Sequence, residues 1–591
     1  MSARRMLVRA SDGGVLLALL ALLAYGWLSS PYLVGNDNAE FSTLGAVGGI
    51  AHPSTYPGYI LWLRALSWLP VDTPAHAAAL ATALLAAASV YVLHAACRAW
   101  GAKPLAATIA VGIYAAAPLV VRYSTEAEAF VPNQLAVALV LWLAAAQGPL
   151  RGRRRAFVLG LVAGLGMTNH MTCTLAAPVG LLGVVRAVRE SEGNKVATAG
   201  LAVAGLLLGW TPYLYLFVAP DNLLAYPNPT SFGTFLDLVL RRQYGGAFAF
   251  SGTGGAVDHL AQLRELVVTL GRAWIWILLP VGLAALAIRI ARAGDGEPRA
   301  GWIALAVSFL IAGPILVLKF NVDVDEFGLH VIHRFHLLPT LFLVIPVSVG
   351  LTVIGARLAT RLSDAARAGW VWTPLAYLVF VGALIAALPD VSRYRTPAME
   401  NMVRNTLASM PADAVILAGG VDELDVGIRY LQLARGERLD VLFLRWRDGA
   451  VDWYREKFAP YGLTLPPGTP YSGEAVVQLF LAHGRPVFVF WWEKELRAQF
   501  PSYPFGVLVR LLPPGTKPPT LDAVFELNRE MFLNFDLAYP SPGKHDEFAT
   551  WVHRKYAGTW GRLADDLLAA GKQAEAATAI ELARALGPQA E

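Results

Sequence analysis

Two carboxylates stand three residues apart, Asp37 and Glu40, in the stretch 35–59, GNDNAEFSTLGAVGGIAHPSTYPGY. On a helix that spacing puts both on one face, one turn apart. His52, Pro53, Tyr56 and Pro57 follow on the returning arm. A carboxylate there could serve as general base on a hydroxyl acceptor, and His52 could bind a phosphate or orient an acid. The plainer alternatives are solvated loop acids, a helix N-terminal pair, and a proline-fixed turn that anchors Tyr56 at headgroup depth. The loop is otherwise apolar, which points to packing against the membrane-embedded part of the chain.

Further polar groups recur along the chain. Glu126, Glu128, Phe130 and Asn133 stand in EAEAFVPN, and Asn169-His170 occupy a tight turn. Glu128, nearer the next apolar run, is the better candidate for a site, and Glu126 reads as a solvated turn. For His170 the alternative is a hydrogen-bonded turn pair. Arg241-Arg242-Gln243-Tyr244 closes an amphipathic stretch, SFGTFLDLVLRRQY, whose Phe232, Phe235, Leu236, Val239 and Leu240 recur at helical spacing behind Ser231 as N-cap. Paired arginines match a phosphate bidentately; they also complement a helix C-terminus and snorkel to lipid headgroups. His333-Arg334-Phe335-His336 opens an apolar run with cations, against the helix dipole. Asp323, Asp325 and Glu326 could answer them, or a lipid phosphate could. No Walker loop, dinucleotide glycine pattern, Gly-x-Ser-x-Gly nucleophile or zinc-spaced Cys/His cluster stands in a credible context.

The elements that must position these groups are mostly apolar. Of 591 residues 56% are hydrophobic and 15% charged, against about 25% charged in soluble domains. Apolar runs long enough to span lipid recur through the first two thirds. They fall at roughly 14–34, 76–97, 104–121, 133–148, 155–168, 171–187, 197–218, 266–290, 301–319, 335–356 and 371–388, about eleven transmembrane helices. Basic loops (Arg4/Arg5/Arg9, Arg98/Lys103, Arg151/Arg153/Arg154/Arg155, Arg186/Arg189/Lys195, Arg289/Arg292/Arg299, Arg357/Arg361/Arg367) alternate with loops that hold Asp37/Glu40, Glu126/Glu128, Asn169/His170, Asp221 to Leu260, and Asp323/Asp325/Glu326. That is the positive-inside pattern, so the N-terminus is expected in the cytoplasm and the acidic loops outside. The net charge of +5 thus sets orientation, and nucleic acid is not an expected partner. Cys97 and Cys173 fall near opposite faces and are not expected to pair.

The expected fold class is an α-helical polytopic membrane protein with a C-terminal soluble α/β domain and a tetratricopeptide-like helical hairpin. Residues 1–390 form the transmembrane domain with external loops 35–75 and 219–265, the first holding short helices at Ala39–Ile50 and Pro57–Leu69. Beyond about residue 392 long apolar runs end. β-rich runs at Ala414–Ala418, Leu439–Leu444, Pro486–Trp492 and Gly506–Leu511 alternate with helical patterns, which suggests an extracytoplasmic α/β domain over 391–556. Residues 557–591 read as one helical hairpin, which cannot bury its own face and must dock on the preceding domain or a protein partner.

The ordered set GNDNAEF, AHPSTYPGY, EAEAF-x-x-N, TNHMT, WTPYLYL and NPTSFGTFLDLVLRRQYGG resembles the polytopic protein O-mannosyltransferase-related family of the GT-C glycosyltransferase superfamily. The resemblance covers roughly the first 250 residues well. It implies that the family's acidic pair falls on Asp37 and Glu40, and its His-Pro-Pro-Gly-Tyr-Pro stretch on His52, Pro53, Tyr56 and Pro57. Ser54-Thr55 replace the Pro-Gly, and Asn38 replaces a small residue. It further implies a donor in which a polyprenyl phosphate carries mannose or a similar hexose, with no other cofactor, nucleotide or metal. Asp37, with Glu40 as second choice, would be the base on a hydroxyl of an exported protein or glycan, and the sugar would invert. His52, Tyr56, Glu128, Asn133, His170, Arg241, Arg242, Tyr244, His333, Arg334 and His336 would line the substrates, the cations holding the lipid phosphate. Two rival readings are a transporter or lipid-carrier flippase and a membrane scaffold. A transporter is expected to carry ionisable residues mid-span, whereas here they gather at one face. An inert anchor would not need so many spans with external acids.

Overall fold

The computed structural model describes residues 13–35, 37–242, 257–292, 296–324, 326–359, 369–420, 423–543 and 548–588. The chain is mostly helical. It divides into two compact units. One runs up to Pro31 and adds Gly48–Pro220 and Asn228–Ser392; the other joins Tyr32–Val47 and Asp221–Pro227 to the chain from Arg393 onward.

The first unit is the membrane part. Five helices are long and apolar enough to cross a bilayer: Pro74–Ala99, Met171–Glu190, Lys195–Phe217, Gly328–Ala359 and Pro374–Ser392. The number rises to seven if two bent pairs each count as one span. Shorter apolar helices at Gly14–Leu28, Phe130–Ala144 and Arg299–Ile315 coincide with other expected runs. Val196, Leu207, Leu214, Leu378 and Ile385 are exposed, as side chains solvated by lipid would be.

The bends have different causes. Pro104–Ala116 meets Pro118–Ser124 at 66°, because Pro118 forces Ala117 out of the helical region, to φ −60 and ψ 133. His259–Ala273 meets Leu278–Ala291 at 101°. Here Ile275 and Trp276 take positive φ of 46 and 56, and the Trp276 ring folds back over Gly271, where a Cβ would lie 2.6 Å from it.

Small residues set the closest helix crossing. Gly160 and Gly164 on Gly152–Asn169 face Gly205 and Gly209 on Lys195–Gly209. A Cβ at Gly160 would strike the Ala202 carbonyl, and one at Gly205 the Phe157 carbonyl. Two small-xxx-small pairs thus let the backbones touch, which is how helices associate where lipid removes the hydrophobic drive. At one end of this unit Arg155, fully buried, pairs with Glu190 at 3.0 Å, and Arg186 pairs with Glu297. Two of the arginines read from sequence as orienting charges therefore also tie helices together. Cys97 and Cys173 are both free.

The second unit holds a five-stranded sheet in the order β2-β1-β3-β5-β4. β1 (Val415–Ala418), β2 (Leu442–Arg445) and β3 (Val487–Val489) are parallel; β4 (Ser502–Phe505) and β5 (Leu508–Leu511) form an antiparallel hairpin beside β3. β1 and β3 are buried throughout, as a run covered on both faces requires. Gly506, at φ 55, begins the two-residue β4–β5 turn. At the carboxyl ends of the parallel strands, Glu493 accepts from Gly419 N at 2.7 Å and from Trp446 Nε1 at 3.2 Å. Arg429, 2% exposed, pairs with Asp425 at 3.6 Å and donates to the Phe443 carbonyl. The last two helices, Phe548–Ala569 and Gln573–Leu586, pack antiparallel about Gly571, at φ 76. Trp560 is fully buried against Phe525 and Phe532 of Leu521–Leu533, and Thr559 Oγ1 donates to the Gly506 carbonyl at 2.9 Å. The hairpin thus covers its apolar face on the preceding part of its own unit.

Candidate functional site

The acid pair opens the helix Asp37–Val47. Its two carboxylates approach within 4.8 Å of one another. Glu40 is buried and Asp37 half-buried. The start is fixed locally: Asn38 Oδ1 accepts from Val34 N at 3.1 Å, and Thr43 Oγ1 donates to the Ala39 carbonyl at 2.7 Å. Ala39, Phe41 and Leu44 are buried, and the helix packs on Glu423–Arg429 and Tyr430–Ala434. The whole loop 35–59 was expected to pack on the membrane-embedded part; the helix belongs instead to the second unit, while Gly48 onward belongs to the first. The reason is that the helix is buried on every side from Asn38 to Gly45, and segments almost four hundred residues away supply part of that cover. The helix itself begins and ends a few residues earlier than expected.

The membrane unit gathers a second set of groups. After the left-handed residues Thr55 and Tyr56, Tyr56 OH lies 3.1 Å from His52 Nε2. The Tyr56 ring meets that of His170 at 5.6 Å, and His170 packs on Phe130 at 4.1 Å. His170 Nδ1 lies 2.7 Å from Thr172 Oγ1, which also accepts from Asn133 Nδ2 at 2.9 Å. Glu128 Oε1 accepts from Phe130 N at 3.2 Å, and its Oε2 lies 3.7 Å from Arg334 Nη1. The Arg334 guanidinium stands over the Phe130 ring at 5.7 Å. Six expected residues, His52, Tyr56, Glu128, Asn133, His170 and Arg334, are thus joined in one continuous cluster.

Two neighbours of that cluster, Arg122 and His330, were not singled out from sequence. Arg122 Nη2 lies 3.2 Å from His330 Nδ1, and Arg122 Nε lies 3.8 Å from Glu126. Arg122, Glu126, Glu128, His330 and Arg334 are each at least nine-tenths buried. Glu126 is therefore not the solvated turn residue that was expected. One signal existed: His330 and Arg334 are four apart and share a face of the helix Glu326–Phe335, whereas Arg122 and Glu126, also four apart, meet across the end of the helix Pro118–Ser124.

The other candidates lie elsewhere. His333 Nε2 meets Glu265 Oε1 at 2.9 Å, and His336, fully buried, meets Thr269 Oγ1 at 3.0 Å. Thr269 reaches the same Glu265 oxygen at 3.5 Å. Of the acids expected to answer these cations, Asp325 lies outside the described residues; among the described residues Glu128 stands 3.7 Å from Arg334 and Glu265 2.9 Å from His333. Ser231 caps the helix Phe232–Val239 with a reciprocal bond to Thr234, as expected, although the helix stops at Val239. Arg242 is exposed and pairs with Asp237 at 2.9 Å, which fits the helix-terminus alternative. Arg241 follows at φ 55, and Tyr244 lies outside the described residues.

A buried set of two guanidiniums, two carboxylates and imidazoles in an apolar unit can bind an anion and answer charge that develops on it. An acid pair on a first helical turn can take a proton from a hydroxyl.

Residues 37–194 match the family described as Protein O-mannosyl-transferase TMEM260 N-terminal domain. The chain is 24% identical over 458 residues to the Protein O-mannosyl-transferase TMEM260 of Mus musculus, over 75% of this chain and 63% of that protein. It is 22% identical over 493 residues to the Protein O-mannosyl-transferase tmem260 of Dictyostelium discoideum, over 76% of this chain and 58% of that protein. It therefore spans about three fifths of the length of these curated relatives. Among solved structures, ArnT from Cupriavidus metallidurans in the apo state superposes with a TM-score of 0.52 at 13% identity, covering 88% of this chain and 100% of ArnT. Over residues 37–194 the chain is thus similar to the N-terminal domain of the TMEM260 protein O-mannosyl-transferases, and its overall fold is similar to that of ArnT.

Proposed function

We propose that the protein is a membrane glycosyltransferase that moves mannose or a similar hexose from a polyprenyl-phosphate carrier to a hydroxyl of a protein Ser/Thr or a glycan. The observation that carries the reading is the buried cluster of Arg122, Glu126, Glu128, His330 and Arg334 in an otherwise apolar unit. Ionisable groups so fully buried are costly and persist where they pair with one another or where an ionic ligand or a reaction uses them. The names of the two relatives and the matched span, which includes both acids, His52, Tyr56, Glu128 and His170, support the same conclusion.

The chemistry follows from these groups. Asp37, or Glu40 in its place, takes the proton of the acceptor hydroxyl. The freed oxygen attacks the anomeric carbon from the side opposite the phosphate. The bond from that carbon to the phosphate oxygen breaks, its electron pair leaves with the lipid phosphate, and the configuration inverts. Arg334, with Arg122 behind it, answers the charge that gathers on the departing phosphate. A phosphate is already a weak base, so the step needs no general acid. His333 and His336 are held by Glu265 and Thr269 for a supporting part in the donor's binding. The finer topology proposed with this reading is that of about eleven spans, a cytoplasmic N-terminus and an extracytoplasmic C-terminal region, as the alternating loop charges support.

The test is transfer itself. The full chain in lipid nanodiscs is given radiolabelled mannose on a polyprenyl phosphate and a Ser/Thr-containing peptide, and the anomeric configuration of the product is read. The proposal expects labelled product of inverted configuration. Transfer only from a nucleotide sugar, or retention of configuration, contradicts it.

A further inference from the structure

The acid helix Asp37–Val47 belongs to the second unit, and the chain that enters it is gripped there at several points. Leu33 N, four residues before Asp37, donates to Glu400 Oε2 at 2.9 Å. Glu400 is 4% exposed. Its other oxygen accepts from Arg404 Nη2 at 2.9 Å, and Arg404 also reaches Glu437 at 3.4 Å. Gly35 sits at φ +120, where a Cβ would lie 3.1 Å from the Phe548 ring and 3.3 Å from Glu423 Oε2. Gly427 lets Leu33 and Val403 close in: a Cβ there would lie 2.5 Å from Val403 and 3.3 Å from Leu33. The entry to the acid helix is thus held by Ala398–Ser409, by Glu423–Arg429 and by the start of Phe548–Ala569, all from the far end of the sequence.

A buried carboxylate committed to one backbone N–H of a turn is an expensive way to fasten a loop, because its charge must be desolvated and then balanced by Arg404. An apolar contact would hold a passive segment at lower cost. A carboxylate gives direction: it fixes the peptide plane at Leu33, and with it where the first turn of the helix begins. We propose that Glu400 is a positioning residue for glycosyl transfer, and that the C-terminal unit is by this means part of the catalytic apparatus rather than an appended module. The inference rests on the reading of Asp37 or Glu40 as the base. Glu400 touches no reacting atom; it sets the base through Leu33. A misplacement of about 1 Å at a reacting group costs on the order of 10²-fold in rate.

The experiment uses the full chain in nanodiscs, with polyprenyl-phosphate mannose as donor and a Ser/Thr peptide as acceptor, and compares Glu400→Ala, Glu400→Gln and Gly35→Ala with the wild type. Amide hydrogen exchange is followed at residues 33–35. Glu400→Ala is expected to speed exchange at Leu33 and to lower kcat about 10- to 100-fold, with donor KM within about twofold. Glu400→Gln keeps an oxygen for the Leu33 N–H and is expected to recover most of the rate. Gly35→Ala strains the same turn without touching Glu400; it is expected to lower kcat likewise, and it carries the test if Glu400→Ala does not fold. Faster exchange with unchanged kcat overturns the proposal, as does a Gln variant no better than Ala. If Asp37→Asn and Glu40→Gln both retain wild-type transfer, the base reading fails and this inference falls with it. If those two abolish transfer while Glu400→Ala and Gly35→Ala leave kcat intact, the positioning role alone fails.

Discussion

Replacing Arg334 tests the donor end of the proposed reaction, and its effect can be worked out in advance. The side chain is 10% exposed and its Nη1 stands 3.7 Å from Glu128 Oε2. Arg334→Met keeps most of the bulk and removes the guanidinium. A charge-assisted hydrogen bond to a phosphate contributes about 1.5–3 kcal/mol, which is roughly a 10- to 150-fold change in affinity. The same substitution leaves Glu128 buried beside no counter-charge from residue 334, and breaking a buried pair costs about 3–5 kcal/mol of stability. The gross attraction is of similar size, about 4–5 kcal/mol for unit charges at this separation with an effective dielectric near 20. The single variant therefore confounds binding with folding. Arg334→Met/Glu128→Gln removes both charges and is the variant to assay, beside Glu128→Gln alone, which breaks the same pair from the other side and whose folding is therefore checked by thermal melt. In nanodiscs, the step from Glu128→Gln to the double variant is expected to raise the donor KM roughly 10- to 150-fold, with acceptor KM moved less than twofold. Arg334→Lys, which keeps the charge but not the fork, is expected to fall between. If the double variant binds donor as Glu128→Gln does, or if the change appears in the acceptor KM, Arg334 does not hold the donor phosphate.

Two further predictions concern the parts that hold the site. Gly205→Leu puts a side chain into the Phe157 carbonyl at the tightest helix crossing; the detergent-solubilised protein is expected to lose its cooperative thermal transition or to melt several degrees lower, while Gly200→Leu, at a glycine with open space around it, is expected to leave the melt unchanged. In the second unit, Arg438 donates to Asp440 at 2.8 Å and draws its carboxyl down to about 2, from an ordinary value of about 3.9. Because the folded value is depressed, this contribution is complete above about pH 4 and fades as the pH falls towards 2; an acid-unfolding titration should show Asp440→Asn with a shallower loss of stability across that window.

What could be read along the chain was what neighbours in sequence decide. The apolar runs announce membrane helices because a bilayer admits little else. The acid spacing of Asp37 and Glu40, the Ser231 cap and the β-rich runs around Val415, Leu442, Val487 and Leu508 are likewise local signals, and each marks an element of the expected type. Among the bends, the one at Ala117 could have been read from Pro118, whereas the one at Ile275 and Trp276 has no glycine or proline to announce it. Pairings between residues 68 to 367 positions apart were out of reach. Arg122 meets His330, His333 meets Glu265, and Leu33 meets Glu400, and no periodicity links such partners. For the same reason the host of the acid helix was misjudged: its small and apolar residues show that it packs, but the surface that receives it is assembled only on folding.

The central claim is that a carboxylate on the first turn of Asp37–Val47 takes the proton of the acceptor hydroxyl. The most direct measurement is the transfer rate of Asp37→Asn and of Glu40→Gln, each in nanodiscs with labelled polyprenyl-phosphate mannose, with folding checked by thermal melt. The account predicts that Asp37→Asn loses about 10²- to 10⁴-fold in kcat while donor KM stays near that of the wild type, and that Glu40→Gln loses less. Wild-type transfer by both folded variants would contradict it.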